Sequence, residues 1–250
     1  MAGTAVRGRL NWLAADVVAV SAETSRVRSI ALDCPEWPGH LPGQHVDIRL
    51  TAEDGYQAQR SYSIATPVDG ERITITVELI DDGEVSPYLV DELRVGDLIE
   101  VRGPIGGYFV WEPAVGGPLE LIAGGSGLVP LMAMIRSQVG ANPVTATRLL
   151  VSSRSLDDLL YRDELMRLAN ALPALEVDYT LTRSQPPGWT GYASRVDGPM
   201  LAAAAWPAAN EPLCYVCGPT GFVETVAVTL VDQGHDPQRI KTERFGPTRG

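Results

Sequence analysis

One stretch, Leu121-Ile122-Ala123-Gly124-Gly125-Ser126-Gly127-Leu128-Val129-Pro130-Leu131-Met132-Ala133-Met134, restricts the fold more than any other. An apolar run suited to a strand enters a glycine turn and continues directly as a helix. Free backbone N–H groups therefore gather at a helix start, where an anion is favoured. Gly125 and Gly127 allow positive φ angles and close backbone approach, and Pro130 suits the first helical turn, where its missing N–H is of no consequence. Such a turn serves either as a phosphate seat or as a tight connection, and the stretch alone leaves both open.

The residue pattern differs on the two sides of this landmark. Before about Trp111, short β-rich segments at 16–20, 27–32, 45–50, 61–65, 73–79 and 98–101 are separated by turn residues, with one helical insert at 87–93. They predict a first domain over 1–112, an antiparallel six-stranded Greek-key β-barrel, closed or nearly so. The proline- and glycine-rich Glu112-Pro113-Ala114-Val115-Gly116-Gly117-Pro118 reads as a linker. Strands expected at 119–123, 148–152, 176–181, 213–217 and 239–245 then alternate with helices at 128–139, 159–172, near 200–205 and at 222–233. Leu128, Leu131, Met132, Ile135 and Val139 share one helical face. This alternation predicts a second domain over 117–250, an α/β doubly wound parallel sheet, in which ligands bind outside the carboxyl ends of the strands.

Charge and cysteine usage narrow the partners. With 31 acidic and 20 basic residues the net charge is -11, which argues against a nucleic acid or an anionic membrane. No apolar run approaches the roughly 20 residues needed to span a bilayer. The three cysteines, Cys34, Cys214 and Cys217, and the lack of a charged-then-apolar leader point to a reducing cytoplasmic setting, and of the oligomeric states left open a monomer is favoured. Cys214 and Cys217 form a C-x-x-C, half of a zinc site or a redox pair. There is no second cysteine pair, however, and His40, His45 and His235 are scattered, so no metal is expected. Three cysteines also fall short of the four that hold a plant-type iron–sulfur cluster.

In the first half, Arg60-Ser61-Tyr62-Ser63-Ile64-Ala65 places Arg60 and Tyr62 on one side of a strand. A flat anionic cofactor suits that set, since arginine grips phosphate and tyrosine stacks on rings. An exposed edge strand explains the same residues.

Six motifs taken together carry a resemblance. They are Arg60-x-Tyr62-Ser63, Gly83-Glu84-Val85-Ser86, Gly103-Pro104-Ile105-Gly106, Gly124-Gly125-Ser126-Gly127-Leu128-Val129-Pro130, Cys217-Gly218-Pro219 and Glu243-Arg244-Phe245. In order and spacing the chain resembles the ferredoxin-NADP reductase superfamily, above all the flavin-plus-nicotinamide modules of bacterial oxygenase systems. The resemblance implies that Arg60 binds the FAD pyrophosphate, Tyr62 stacks on the isoalloxazine and Ser63 hydrogen-bonds flavin N5. Gly83, Val85 and Ser86 would present N–H groups to the same pyrophosphate, with Ser86 also suited to a helix N-cap. Gly125, Gly127 and Pro130 would hold the pyrophosphate of the nicotinamide nucleotide. Cys217, followed by Gly218 and Pro219, would lie beside the nicotinamide; its plainer reading is a small buried hydrophobe. Glu243 would lie near the flavin and Phe245 would cover it.

Thr182 and Arg183 follow a predicted strand at the family position that holds a 2′-phosphate, and Arg154 ends the neighbouring strand. They point to NADPH over NADH, although each arginine also fits a solvated loop. The resemblance implies a reductase that moves hydride from NADPH to FAD and passes electrons singly to a separate protein: a ferredoxin, a Rieske protein or a haem monooxygenase. Direct reduction of a quinone, a ferric chelate or oxygen is an alternative. A regulatory subunit that binds flavin and nucleotide is another. The pyrophosphate site at 83–86 predicts that denaturing the purified protein releases FAD and no FMN, which chromatography of the freed flavin checks.

Overall fold

The computed structural model describes residues 10–139, 141 and 144–246. Its first part contains β1 (Trp12–Ala22), β2 (Val27–Asp33), β3 (His45–Thr51), β4 (Gln57–Ser63), β5 (Arg72–Glu78) and β6 (Leu98–Ile105). These form one sheet ordered β4-β3-β6-β1-β2-β5, antiparallel at every pairing. The insertion of β6 between β3 and β1 is the Greek-key return. The two edges meet where Ile64, just past β4, bridges Ile75 of β5, so the sheet curls into a nearly closed barrel. Ile30, Leu32, Val46, Ile48, Ile73, Ile75 and Val101 fill it, each fully buried.

The strand bounds differ from expectation, with β1 and β6 longer than expected, and two elements of the barrel differ most. The fourth strand, expected at 61–65, runs over Gln57–Ser63. It pairs with β3 along its polar start, Gln57 opposite Thr51 and Gln59 opposite Arg49, because an edge strand needs backbone pairing on only one side and tolerates polar side chains. The insert expected as a helix at 87–93 is one π-helical turn, Tyr88–Glu92, with Leu89 and Val90 buried at the end of the barrel.

The second part alternates β7 (Leu119–Gly124), α1 (Leu128–Arg136), β8 (Thr147–Ser153), α2 (Arg162–Ala171), β9 (Leu175–Leu181), α3 (Gly198–Ala204), β10 (Leu213–Pro219), α4 (Thr220–Asp232) and β11 (Ile240–Phe245). All pairings are parallel, in the order β11-β10-β7-β8-β9. Every residue of β7 is buried, as a central strand covered on both faces requires. Leu128, Leu131 and Leu165 of α1 and α2 pack on one face, and Met200, Val223 and Leu230 of α3 and α4 on the other. The helix expected from 159 starts at Arg162, since Tyr161 has a left-handed φ of 53° and sends its hydroxyl to Thr76 of the barrel.

Barrel and sheet share one core, in which Val27, Ala65, Phe109 and Trp111 pack with Leu121, Met134 and Cys217. Arg136, at the end of α1, donates to the Ala65 carbonyl at 2.6 Å and holds Glu164 with its other nitrogens at 2.8 and 2.6 Å. The Val110 carbonyl accepts from the Tyr215 hydroxyl at 2.6 Å and from Lys241 at 3.0 Å.

The chain leaves β7 for β8 on one side and later returns to β10 on the other, which creates a crevice at the carboxyl ends of β7 and β10. The glycine turn fills the mouth of this crevice, and its two glycines have different roles. Gly125 has φ +57° and open space where a Cβ would stand. Gly127, expected to need positive φ, has φ -60° and opens α1. A Cβ on Gly127 would penetrate the Cys217 carbonyl of β10, so glycine is required there for close approach. Accordingly, Gly127→Ala should destabilise the protein by about 3 kcal/mol, as an overpacked core does. Gly125→Ala should lose only about 1 kcal/mol from its left-handed backbone. Denaturant melts of both variants check the order.

Candidate functional site

Two groups of polar residues stand at the carboxyl ends of the parallel strands and on the neighbouring barrel edge. On the barrel, β4 carries Arg60, Tyr62 and Ser63 opposite Ile48, Val46 and His45 of β3. Arg60 pairs with Glu84 at 2.7 Å, and Tyr56 donates to the other Glu84 oxygen at 2.5 Å. Those bonds, Tyr56 first and Arg60 second, hold the Glu84 carboxyl below its usual range. Both partners of the ion pair are about half exposed, so it is weak and leaves the guanidinium available to a better anion. Tyr62 is half-buried, and burial raises its phenol above the ordinary value.

The 83–86 loop approaches Arg60 through Glu84. Val85 is fully buried and anchors the loop. Ser86 is not an N-cap: Pro87 occupies that position with no side-chain cap. Its buried hydroxyl instead accepts from the Ile80 N–H at 3.0 Å and closes the loop, while a Cβ on Gly83 would stand 2.9 Å from it.

The second group surrounds a cavity of about 600 Å³ lined by Gly125, Arg154, Thr182, Arg183, Pro219 and Phe245. Backbone bonds fix the rim: Thr182 N–H donates to the Ser153 carbonyl and Arg183 N–H to that of Arg154, both at 2.9 Å. The Thr182 hydroxyl also donates to Ser153, at 3.1 Å, so its proton is already engaged. Gly127, Pro130 and Gly218 do not line the cavity. Pro130 is buried in the first turn of α1, and Gly218 lets β10 pass Gly124, its Cβ position being 3.2 Å from the Gly124 Cα.

Among the lining residues that escaped the sequence reading are Arg26, Arg195 and Phe222. Arg26 arrives from the turn between β1 and β2 and is held by Asp81 at 3.0 Å. Arg195 arrives because Tyr192 bridges Thr180 and folds the segment after β9 back along it. No local motif marks either one. None of the ion pairs among the described residues uses Arg154, Arg183 or Arg195. Three unpaired guanidinium groups beside a glycine turn with open space at Gly125 fit a ligand with several phosphates.

Between the groups, Cys217 of β10 is in register with Glu243 of β11, and Pro219 with Phe245. Burial, followed by the Glu243 charge, raises the Cys217 thiol well above its usual value, so it is a neutral thiol and not a nucleophilic thiolate. Cys214 belongs to the core on the opposite face of the sheet, so the C-x-x-C does not act as one unit. Phe245 remains 37% exposed at the cavity edge. Residues 247–250 lie outside the described residues.

The chain matches the oxidoreductase FAD-binding domain family over residues 15–110 and the oxidoreductase NAD-binding domain family over residues 121–227. It belongs to the ferredoxin-NADP reductase superfamily. Among reductases of this superfamily, the glycine betaine monooxygenase reductase subunit of Chromohalobacter salexigens is 31% identical over 237 residues, covering 92% of this chain and 63% of the relative. The chain thus spans less than two thirds of that protein's length. The solved flavohem-like FAD/NAD binding domain of Vibrio cholerae nitric oxide dioxygenase is 25% identical with a TM-score of 0.84, covering 94% of this chain and 99% of that one. Amycolatopsis cytochrome P450 reductase is 26% identical with a TM-score of 0.83, covering 98% and 74%. Its superfamily membership makes FAD and a nicotinamide nucleotide the cofactors of this reductase-like chain.

Glu243 gives the site a pH signature. Burial raises its carboxyl from 4.5 to about 7. The folded protein therefore holds this proton more tightly than the unfolded chain does. The stabilisation is fully present below pH 4.5 and is lost as pH rises through about 7. Glu243→Gln should flatten that part of the stability profile. Glu120, which burial raises to about 8, is common to both proteins, so the difference between their melts against pH isolates Glu243.

Proposed function

We propose that this chain takes hydride from NADPH onto FAD and delivers electrons singly to a separate protein acceptor of an oxygenase system. The observation that carries the reading is the cavity at the crevice between β7 and β10, with Arg154, Arg183 and Arg195 on its wall and Phe245 at its edge. FAD, once bound, supplies a two-electron acceptor that can release its electrons one at a time.

The chain's own residues position and protect. Arg60, together with Gly83, Val85 and Ser86 of the closed loop, holds the FAD pyrophosphate, with Arg60 exchanging Glu84 for the doubly charged ligand. Tyr62 stacks against the isoalloxazine, and Ser63 donates a hydrogen bond at flavin N5. The turn at Gly125, whose packing depends on Gly127, Pro130 and Gly218, receives the pyrophosphate of NADPH, with Pro219 on the opposite wall. Arg183 and Arg154 pair with the 2′-phosphate, and Thr182 sets the reach of Arg183 through its bonds to Ser153. Cys217, buried as a neutral thiol, backs the nicotinamide subsite from within β10, Phe245 excludes water, and Glu243 holds a proton near neutral pH.

A protein acceptor is supported by the relatives, which are named as reductases of a monooxygenase and of a cytochrome P450. Among the described residues no helix is long and apolar enough to cross a membrane. The three free, buried cysteines support a reducing, cytoplasmic setting.

Anaerobic mixing tests the whole reading: NADPH should bleach the flavin, and the colour should return on addition of a protein acceptor and not with quinones alone. Arg183→Ala should lose a charge-assisted interaction of about 1.5 to 3 kcal/mol, roughly ten- to more than a hundredfold in NADPH efficiency. NADH efficiency should change little, and Arg154→Ala should enlarge the loss in the double variant. Equal damage with both nucleotides would remove Arg183 from cofactor choice.

A further inference from the structure

A second cavity, of about 380 Å³, lies between α2, β9 and the segment that follows β9. Leu159 and Val177 give it an apolar floor, and Tyr179 and Trp189 give it aromatic walls. The indole is held in place. Its Nε1 donates to the Tyr192 carbonyl at 2.9 Å, and its backbone N–H donates to that of Pro186 at 3.1 Å. Gly191 supports it from behind, where a Cβ would stand 2.6 Å from the ring. Arg162 is the one charged residue on the lining, and none of the ion pairs among the described residues uses it.

A preformed slot with two aromatic walls and one unpaired guanidinium selects a flat apolar body bearing a single negative charge. Its volume, near the lower end of the range for small-molecule sites, admits one or two rings. The same segment also forms part of the nucleotide cavity. Arg183 precedes Pro186 to Thr190, the part of this segment that lines the slot, and Arg195 follows it, and both arginines line the larger cavity.

We propose that this slot binds an aromatic monocarboxylate, and that its occupancy alters how Arg183 and Arg195 engage the nucleotide. The binding half stands on the slot alone, whereas the coupling half rests on the nucleotide reading given above. A ligand that stacks on Trp189 shifts or stiffens the segment 183–195, and two sites joined by one segment influence each other equally in both directions.

Calorimetric titration of the FAD-loaded protein with 3-phenylpropionate tests this, with the uncharged 3-phenylpropionamide as control. Saturable one-to-one binding is expected, weakened about tenfold or more in Arg162→Gln and for the amide. Met166→Trp, on the exposed face of α2 at the slot's rim, should abolish it. Saturating probe should change the Kd for NADP+ by about fivefold or more, with the reciprocal change in the Kd for the probe. Absence of saturable binding, or binding unmoved by both substitutions, overturns the site. Binding with an unchanged Kd for NADP+ overturns the coupling. Binding by a protein that takes up no NADP+ overturns the coupling together with the nucleotide reading and leaves the slot standing.

Discussion

The structure depends on one close approach, the contact of Gly127 with the Cys217 carbonyl. It brings the start of α1 against β10, and the crevice between β7 and β10 has its shape because no side chain intervenes. The consequences extend outward from it. Gly125 is left facing open space, Cys217 is sealed into the core beside Glu243, and β11 places Phe245 at the edge of the cavity. A single Cβ at this point would disturb both strands that border the crevice at once.

The electrostatics are local and run against the global sign. The chain is strongly acidic, yet its positive charges are almost all arginines, with Lys241 the one lysine. Arginine keeps its charge under all ordinary conditions and presents a planar fork. Three such forks on one cavity wall create a positive pocket within a negative protein. Field focusing in a cleft of this kind draws in polyanionic small molecules, while the surrounding surface repels nucleic acid.

The change from alternating short strands to strand–helix repeats near residue 119 was legible in the sequence because buried parallel strands and amphipathic helices have different apolar spacings. The Gly125 turn and the run Arg60 to Ser63 stood out as candidate sites for the same local reason, since each is contiguous. Features built from distant pieces were not. Arg26 and Arg195 reach the cavity through a barrel turn and a single β-bridge, which leave no trace in spacing. The polar start of β4 was hidden because pairing, and not burial, makes it a strand. Gly125 and Gly127 look alike in sequence, and only the neighbouring strand assigns them different roles. Ser86 suited an N-cap by its place before Pro87, but its hydroxyl turns back to Ile80.

The crossing between barrel and sheet has a mechanical consequence. Arg136 grips Ala65, Tyr161 reaches Thr76, and the Val110 carbonyl takes two donors, from β10 and β11. Those ties enclose a continuous apolar core that joins the two halves. A disturbance at Ala65 or Val110 is therefore passed directly to α1 or to β10 and β11, and the two halves should unfold in a single cooperative transition and not one after the other.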